Sequence, residues 1–250
     1  MFDAKRWPGP LPREGTPAHP LRIGILISGR GSNMLSIITR QQLPGSHHCT
    51  AVVISDRKDA AGLITAKENG ILSHAIPIPL RPDEIAEQIA SEIEPLLHFN
   101  TPSSTTSLAQ RVAHEMAVDT SLDSHGVELV VLAGYMRIFT PWFIRRHLGR
   151  LINIHPSLLP DFPGAHAARD ALEAKTSRSG CTVHHVDEGV DTGSIIAQAS
   201  IPVEDGDTEA TLLSRIQTQE HILYPAVLDS IATRTPLKSL DELTDLRLPS

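Results

Sequence analysis

Residues 153–160 read Asn-Ile-His-Pro-Ser-Leu-Leu-Pro. Side chains alternate along a strand, so Asn153 and His155 share one face and Ile154 takes the other. Pro156 lacks a backbone N–H and ends strand pairing. An amide and an imidazole therefore stand side by side at a strand end. An Asn amide can donate to a developing oxyanion, and a His can donate too or relay a proton near neutral pH. The loop 186–193 offers two carboxylates, Asp187 and Asp191. A carboxylate beside His155 would favour the charged ring and could take a proton from an amine. On spacing alone, an aspartate in such a loop also serves turn chemistry.

A second constellation is Ser28-Gly29-Arg30-Gly31-Ser32-Asn33. It joins the β-favouring run 21–27 to a helix-like segment at 34–41. In a doubly wound fold this turn is an anion site, where backbone N–H groups and the helix dipole face the ligand. A dinucleotide loop expects G-x-G-x-x-G, but Met34 stands at the third glycine. Asp56, after the second strand, could mimic the acid that holds a ribose. A phosphomonoester site, a dinucleotide site and a plain tight turn are all open from the loop alone.

The elements around these residues alternate. Strands are predicted at 21–27, 50–55, 73–78, 128–133, 150–154, 182–186 and 195–202. Helices are predicted at 34–41, 60–68, 83–97, 141–147, 166–174 and 208–231. Ile85, Ile89, Ile93 and Leu96 give 83–97 one apolar face. Asp207 is the expected N-cap of the last helix, and Pro225 is expected to kink or end it early. The pattern indicates an α/β fold with an open, mostly parallel twisted sheet, flanking helices and an antiparallel late strand. The strand carrying Asn153 and His155 would present them at the sheet's C-terminal edge, where ligands bind in such folds.

The 250 residues read as one domain over 21–232. Five prolines within residues 8–20 make 1–20 a flexible tail. Polar, low-complexity 100–107 makes 98–125 an insertion or loop, with a short exposed helix at 108–118. Residues 233–250 form a C-terminal tail. Net charge is −7, which argues against a bulk polyanion binder but not against a local phosphate pocket. Two cysteines are too few for a disulfide scaffold or a cysteine zinc site. No apolar run approaches the roughly 18–20 residues of a membrane span.

Six segments, 28–33, 133–139, 153–160, 162–164, 186–193 and 215–221, resemble in order the phosphoribosylglycinamide formyltransferase family. The resemblance covers about residues 21–230 apart from 98–125. It implies a Rossmann-like formyltransferase fold and formyl transfer from 10-formyltetrahydrofolate, a co-substrate, to the amine of N1-(5-phospho-D-ribosyl)glycinamide, with no metal. Asn153, His155 and Asp191 would be the catalytic trio. Gly31, Ser32, Asn33, Gln217 and Glu220 would hold the phosphoribosyl group. Met136, Arg137, Ile138, Phe139, Val186, Asp187 and Val190 would form the folate cleft. Arg81 stands in for a basic ligand residue of the family, and His166 matches a supporting histidine. The family implies a cytoplasmic monomer or homodimer acting on small molecules, with no nucleic acid or membrane partner.

Four other readings predict different sequences. A formyltetrahydrofolate hydrolase adds an N-terminal regulatory domain, for which twenty proline-rich residues are too few. Methionyl-tRNA formyltransferase adds a C-terminal RNA-binding domain, and the acidic balance disfavours tRNA. A silent binding regulator would carry a damaged trio. A dehydrogenase requires the glycine loop to hold a dinucleotide.

Overall fold

The computed structural model describes residues 8–9, 12–96 and 106–237. β1 (Leu21–Ile27) leads into α1 (Ser32–Gln41), and β2 (His48–Ser55) into α2 (Ala61–Glu68). β3 (Ser73–Ala75) is followed by α3 (Glu84–Ile93) and α4 (Leu108–Ser124). Next come β4 (Leu129–Leu132), α5 (Pro141–Arg146), β5 (Leu151–His155) and α6 (Ala167–Glu173). β6 (Arg178–His185), β7 (Ile195–Pro202) and α7 (Glu209–Thr233) follow. The sheet order is β3-β2-β1-β4-β5-β6-β7. Strands β1 to β5 are parallel, while β6 runs antiparallel to β5 and β7 antiparallel to β6. This is the mostly parallel sheet with antiparallel late strands that the sequence predicts.

Strand alternation divides the core into two layers. Ile23, Ile25, Val131, Ile152 and Ile154 face α1, α2, α6 and α7. Leu26, Val130, Leu132 and Leu151 face α4 and α5. Asn153 and His155 have the parity of Leu151 and therefore open toward the α4–α5 side. Gly24 permits the close approach of α4, because a Cβ there would lie 2.5 Å from Leu122 Cδ2.

Several expectations are corrected. Residues 12–20 are not a free tail but pack along the N-terminal edge of the sheet. Arg13 forks onto both carboxylate oxygens of Glu128 at 2.8 and 2.9 Å, and Gly15 N–H donates to Ala232 O. In α3 the buried residues are Ala86, Ala90 and Ile93, while Ile85 is exposed. Small alanines let α3 lie close against Val112 of α4. The helix expected at 108–118 is neither short nor exposed. It has 17 residues and buries Val112, Val118 and Leu122, so this part of 98–125 is core structure rather than a loop. Thr208, not Asp207, caps α7, accepting from Thr211 N; Asp207 instead pairs with Arg215 at 2.6 Å. Pro225 does not end α7, which runs 25 residues with Tyr224, Pro225, Ala226, Val227 and Leu228 buried. Packing along this stretch offsets the hydrogen bond that proline removes. Residues 1–7, 10–11, 97–105 and 238–250, which include most of the expected 100–107 loop and of the C-terminal tail, lie outside the described residues.

Candidate active site

β5 ends at His155, as the following proline requires. Its neighbour β4 ends at Leu132 and passes into the segment 133–139. Ser28, just after β1, pins that segment: Ser28 N–H donates to Gly134 O, and Met136 N–H donates to Ser28 Oγ at 2.9 Å. Between the strand ends lies a cleft of about 330 Å³. Asn153, His155 and Asp191 line it together with Met136, Arg137, Ile138, Phe139, Val186, Asp187 and Val190. Every residue expected in the trio and the folate cleft therefore meets in one cavity. Met136 (76% exposed), Ile138 (48%) and Val190 (41%) form an apolar rim. Exposed apolar side chains gathered at a cleft mark a binding surface.

The trio is tightly organised. His155 Nδ1 lies 3.3 Å from Asp191 Oδ2, and Nε2 donates to Phe162 O at 3.0 Å. Asp191 Oδ2 also accepts from Gly164 N–H at 2.8 Å. Asp191 has φ 55°, a left-handed conformation that Asp tolerates better than most residues. Both ring nitrogens of His155 thus face oxygens, an arrangement that the charged imidazolium satisfies fully.

Sequence spacing alone does not mark His184, which reaches the site from β6. β6 pairs it with Asn153 across the antiparallel ladder. Its Nδ1–H donates to His185 O at 2.8 Å, which leaves Nε2 as an acceptor for Asn153 Nδ2 at 3.2 Å. Burial pushes the His184 ring below the ordinary histidine value, and so favours the neutral form. The amide of Asn153 is thereby oriented with one N–H bound and the other available to the cleft. An Asn–His pairing across antiparallel strands was the signal in the sequence, but the register was needed to use it.

The expected phosphoribosyl residues come from two distant segments. Gly31 has φ 76° and forms the N-cap of α1 without a side-chain hydrogen bond. The first turn of α1 thus keeps N–H groups for an anion. Asn33 Nδ2 donates to Glu220 Oε2 at 2.7 Å, while Asn33 Oδ1 is buried with no hydrogen-bond partner. Burial pushes the Glu220 carboxyl up, and the Asn33 donor opposes this. Ser32 is exposed and Gln217, one turn before Glu220, is half-buried. One turn after Glu220, Tyr224 hydroxyl lies within hydrogen-bond distance of the Leu132 and Ile152 carbonyls, tying this helix to the strand ends of the cleft.

Two expected residues are not brought to the cleft. Arg81 is exposed outside it, and His166 is an exposed N-cap of α6. Besides Arg137 of the cleft wall, Arg111 is a basic residue beside the site. It lines a cavity of about 180 Å³ that shares Met136, Arg137, Ile138 and Phe139 with the cleft, and it donates to Ile138 O at 2.7 Å. The dinucleotide reading loses its one support, because Asp56 is held by Arg137 at 2.6 Å, while Met34, at the third-glycine position, is fully buried in the core. Among the described residues, no cluster of three His, Cys, Asp or Glu is placed to hold a metal ion, and no helix is long and apolar enough to cross a membrane.

The formyl transferase family profile matches residues 21–228. Phosphoribosylglycinamide formyltransferase of Escherichia coli is 37% identical over 212 residues, covering 85% of this chain and 87% of that protein. The trifunctional purine biosynthetic protein adenosine-3 of Drosophila pseudoobscura is 41% identical over 214 residues, covering 85% of this chain but 14% of that protein. The chain thus spans about one seventh of the length of that trifunctional relative. The crystal structure of phosphoribosylglycinamide formyltransferase from Brucella melitensis superposes with a TM-score of 0.70 at 38% identity, covering 88% of this chain and 100% of that one. The chain belongs to the formyl transferase family.

Proposed function

We propose that the protein is a phosphoribosylglycinamide formyltransferase of purine biosynthesis, with 10-formyltetrahydrofolate as formyl donor. The observation that carries this reading is the convergence of Asn153, His155 and Asp191 with the 136–139 and 186–190 walls in one cleft. The folate would lie against the apolar rim, with Arg111 in place of Arg81 as the basic group. The phosphate would sit on the N-terminus of α1 at Gly31, Ser32 and Asn33. The ribose hydroxyls would reach Glu220, Gln217 and the unpartnered Asn33 Oδ1.

The amine of the nucleotide attacks the formyl carbon, and the carbonyl oxygen becomes an oxyanion. The free N–H of Asn153 donates to it. His155 has both nitrogens engaged in this structure, so its charge, rather than a free N–H, stabilises the oxyanion. Asp191 supports that charge and takes up the amine proton, directly or through water. Collapse breaks the carbon–nitrogen bond to the folate, whose nitrogen leaves with the proton returned from Asp191, and the formyl group stays on the substrate amine. Removing one such stabilising group typically costs on the order of 10²–10³ in rate. Asp191→Asn and His155→Ala should each lose most turnover while the fold, followed by circular dichroism, survives. Near-normal turnover in either folded variant sinks the mechanism.

A further inference from the structure

One loop, residues 156–164, reaches both members of the His155–Asp191 pair. Phe162 O receives His155 Nε2, and Gly164 N–H donates to Asp191 Oδ2. A carbonyl oxygen only accepts, so the first contact keeps a hydrogen on Nε2. Any proton exchanged between the ring and Asp191 then passes through Nδ1, the nitrogen that faces Asp191. The loop is held in turn by two side chains to which the mechanism gives no part. Thr182, fully buried on β6, accepts from Leu159 N–H at 3.0 Å and donates to Ser157 O at 2.6 Å. Gln198 on β7 donates through Nε2 to Leu159 O and to Thr182 Oγ1, both at 2.9 Å. The Thr182 hydroxyl thereby uses its one hydrogen and both lone pairs, and the Gln198 amide uses both hydrogens.

We propose that Thr182 and Gln198 are positioning residues, which fix the loop so that proton exchange at His155 is confined to the Nδ1–Asp191 side. A ring free to change tautomer would spend part of its time with a bare Nε2 and a proton trapped against Asp191. The other titratable groups facing this pair are His184, whose Nε2 lies 3.6 Å from Asp191 Oδ1, and beyond it Asp187. The inference rests on the reading of His155 and Asp191 as the proton-handling pair.

Heteronuclear NMR of the imidazole nitrogens across pH tests it without needing turnover. The wild-type protein should show His155 Nε2 protonated throughout while Nδ1 titrates. Thr182→Val keeps the shape of the side chain and removes all three hydrogen bonds. It should show mixed tautomers and lose up to about 10²-fold in kcat, the scale of a misplaced catalytic group. KM for both substrates should change little, the pH profile of kcat should move, and Thr182→Ser should restore all of these. Gln198→Leu, at an exposed position, should give a milder version and serves if Thr182→Val does not fold. Loss of the Nε2 proton in the wild type overturns the proposal. So does wild-type tautomer and kcat in folded Thr182→Val, or in Gln198→Leu where Thr182→Val fails to fold. Absence of formyl transfer in the wild type would instead refute the proposed function, leaving the NMR result to decide this point.

Discussion

Glu115→Gln should stabilise the protein at alkaline pH and not at acid pH. Glu115 is buried on α4, with its carboxylate accepting from both the N–H and the hydroxyl of Thr140. Burial pushes its carboxyl up to about 7, against the opposing hydrogen bonds from Thr140 and the charge of Arg111. The folded protein therefore holds a proton that the unfolded chain releases at about 4.3. Stability contributed by this group is complete below that value and falls as pH rises through the folded value. Above it, the standing penalty is about 4 kcal/mol. A glutamine accepts from the Thr140 N–H and can donate to the hydroxyl oxygen, but it displaces the hydroxyl hydrogen at a cost of about 1 kcal/mol. The net gain at about pH 8 is about 3 kcal/mol, shrinking toward zero near pH 5. Urea unfolding of both proteins at about pH 5.5 and about pH 8 measures this difference. An equal effect of the substitution at both values would refute the burial argument.

Burial pushes His114, His147 and His185 each down to about 4. Their contribution is full above the ordinary histidine value and is lost as pH falls from about 6.5 to about 4, up to about 3 kcal/mol each. Acid unfolding monitored by circular dichroism should fall in that window, and His114→Phe should shift the midpoint to lower pH. Arg111→Ala should raise KM for the folate about tenfold, the scale of a lost charged hydrogen bond, whereas Arg81→Ala should leave it unchanged; steady-state kinetics separates the two. Asn33→Ala should weaken nucleotide binding in a calorimetric titration while leaving folate binding intact.

The sheet was readable because its strands are apolar runs covered on both sides, a pattern that composition alone exposes. What escaped reading was polar burial. His114, Glu115 and Asp119 gave α4 the look of an exposed helix, yet all three lie in its buried face. In α3 the large apolar residues Ile85 and Ile89 carry the periodic signal, while the contact face is set by Ala86, Ala90 and Ile93. β6 begins at Arg178, earlier than expected, because Arg-Ser-Gly-Cys carries little β signal. The Asn153–His155 pair was legible from two-residue alternation. Asp191 needed the resemblance, because loop geometry has no period. His184 and Arg111 needed the fold, since each reaches the site from an element distant in sequence.

The most direct test of the proposed function mixes the purified protein with 10-formyltetrahydrofolate, with and without N1-(5-phospho-D-ribosyl)glycinamide, and follows release of tetrahydrofolate. Release that requires the nucleotide, with one formyl group recovered on its amine, is the predicted result. Equal release in its absence would identify a hydrolase, and no release in either case would contradict the assignment of the cleft.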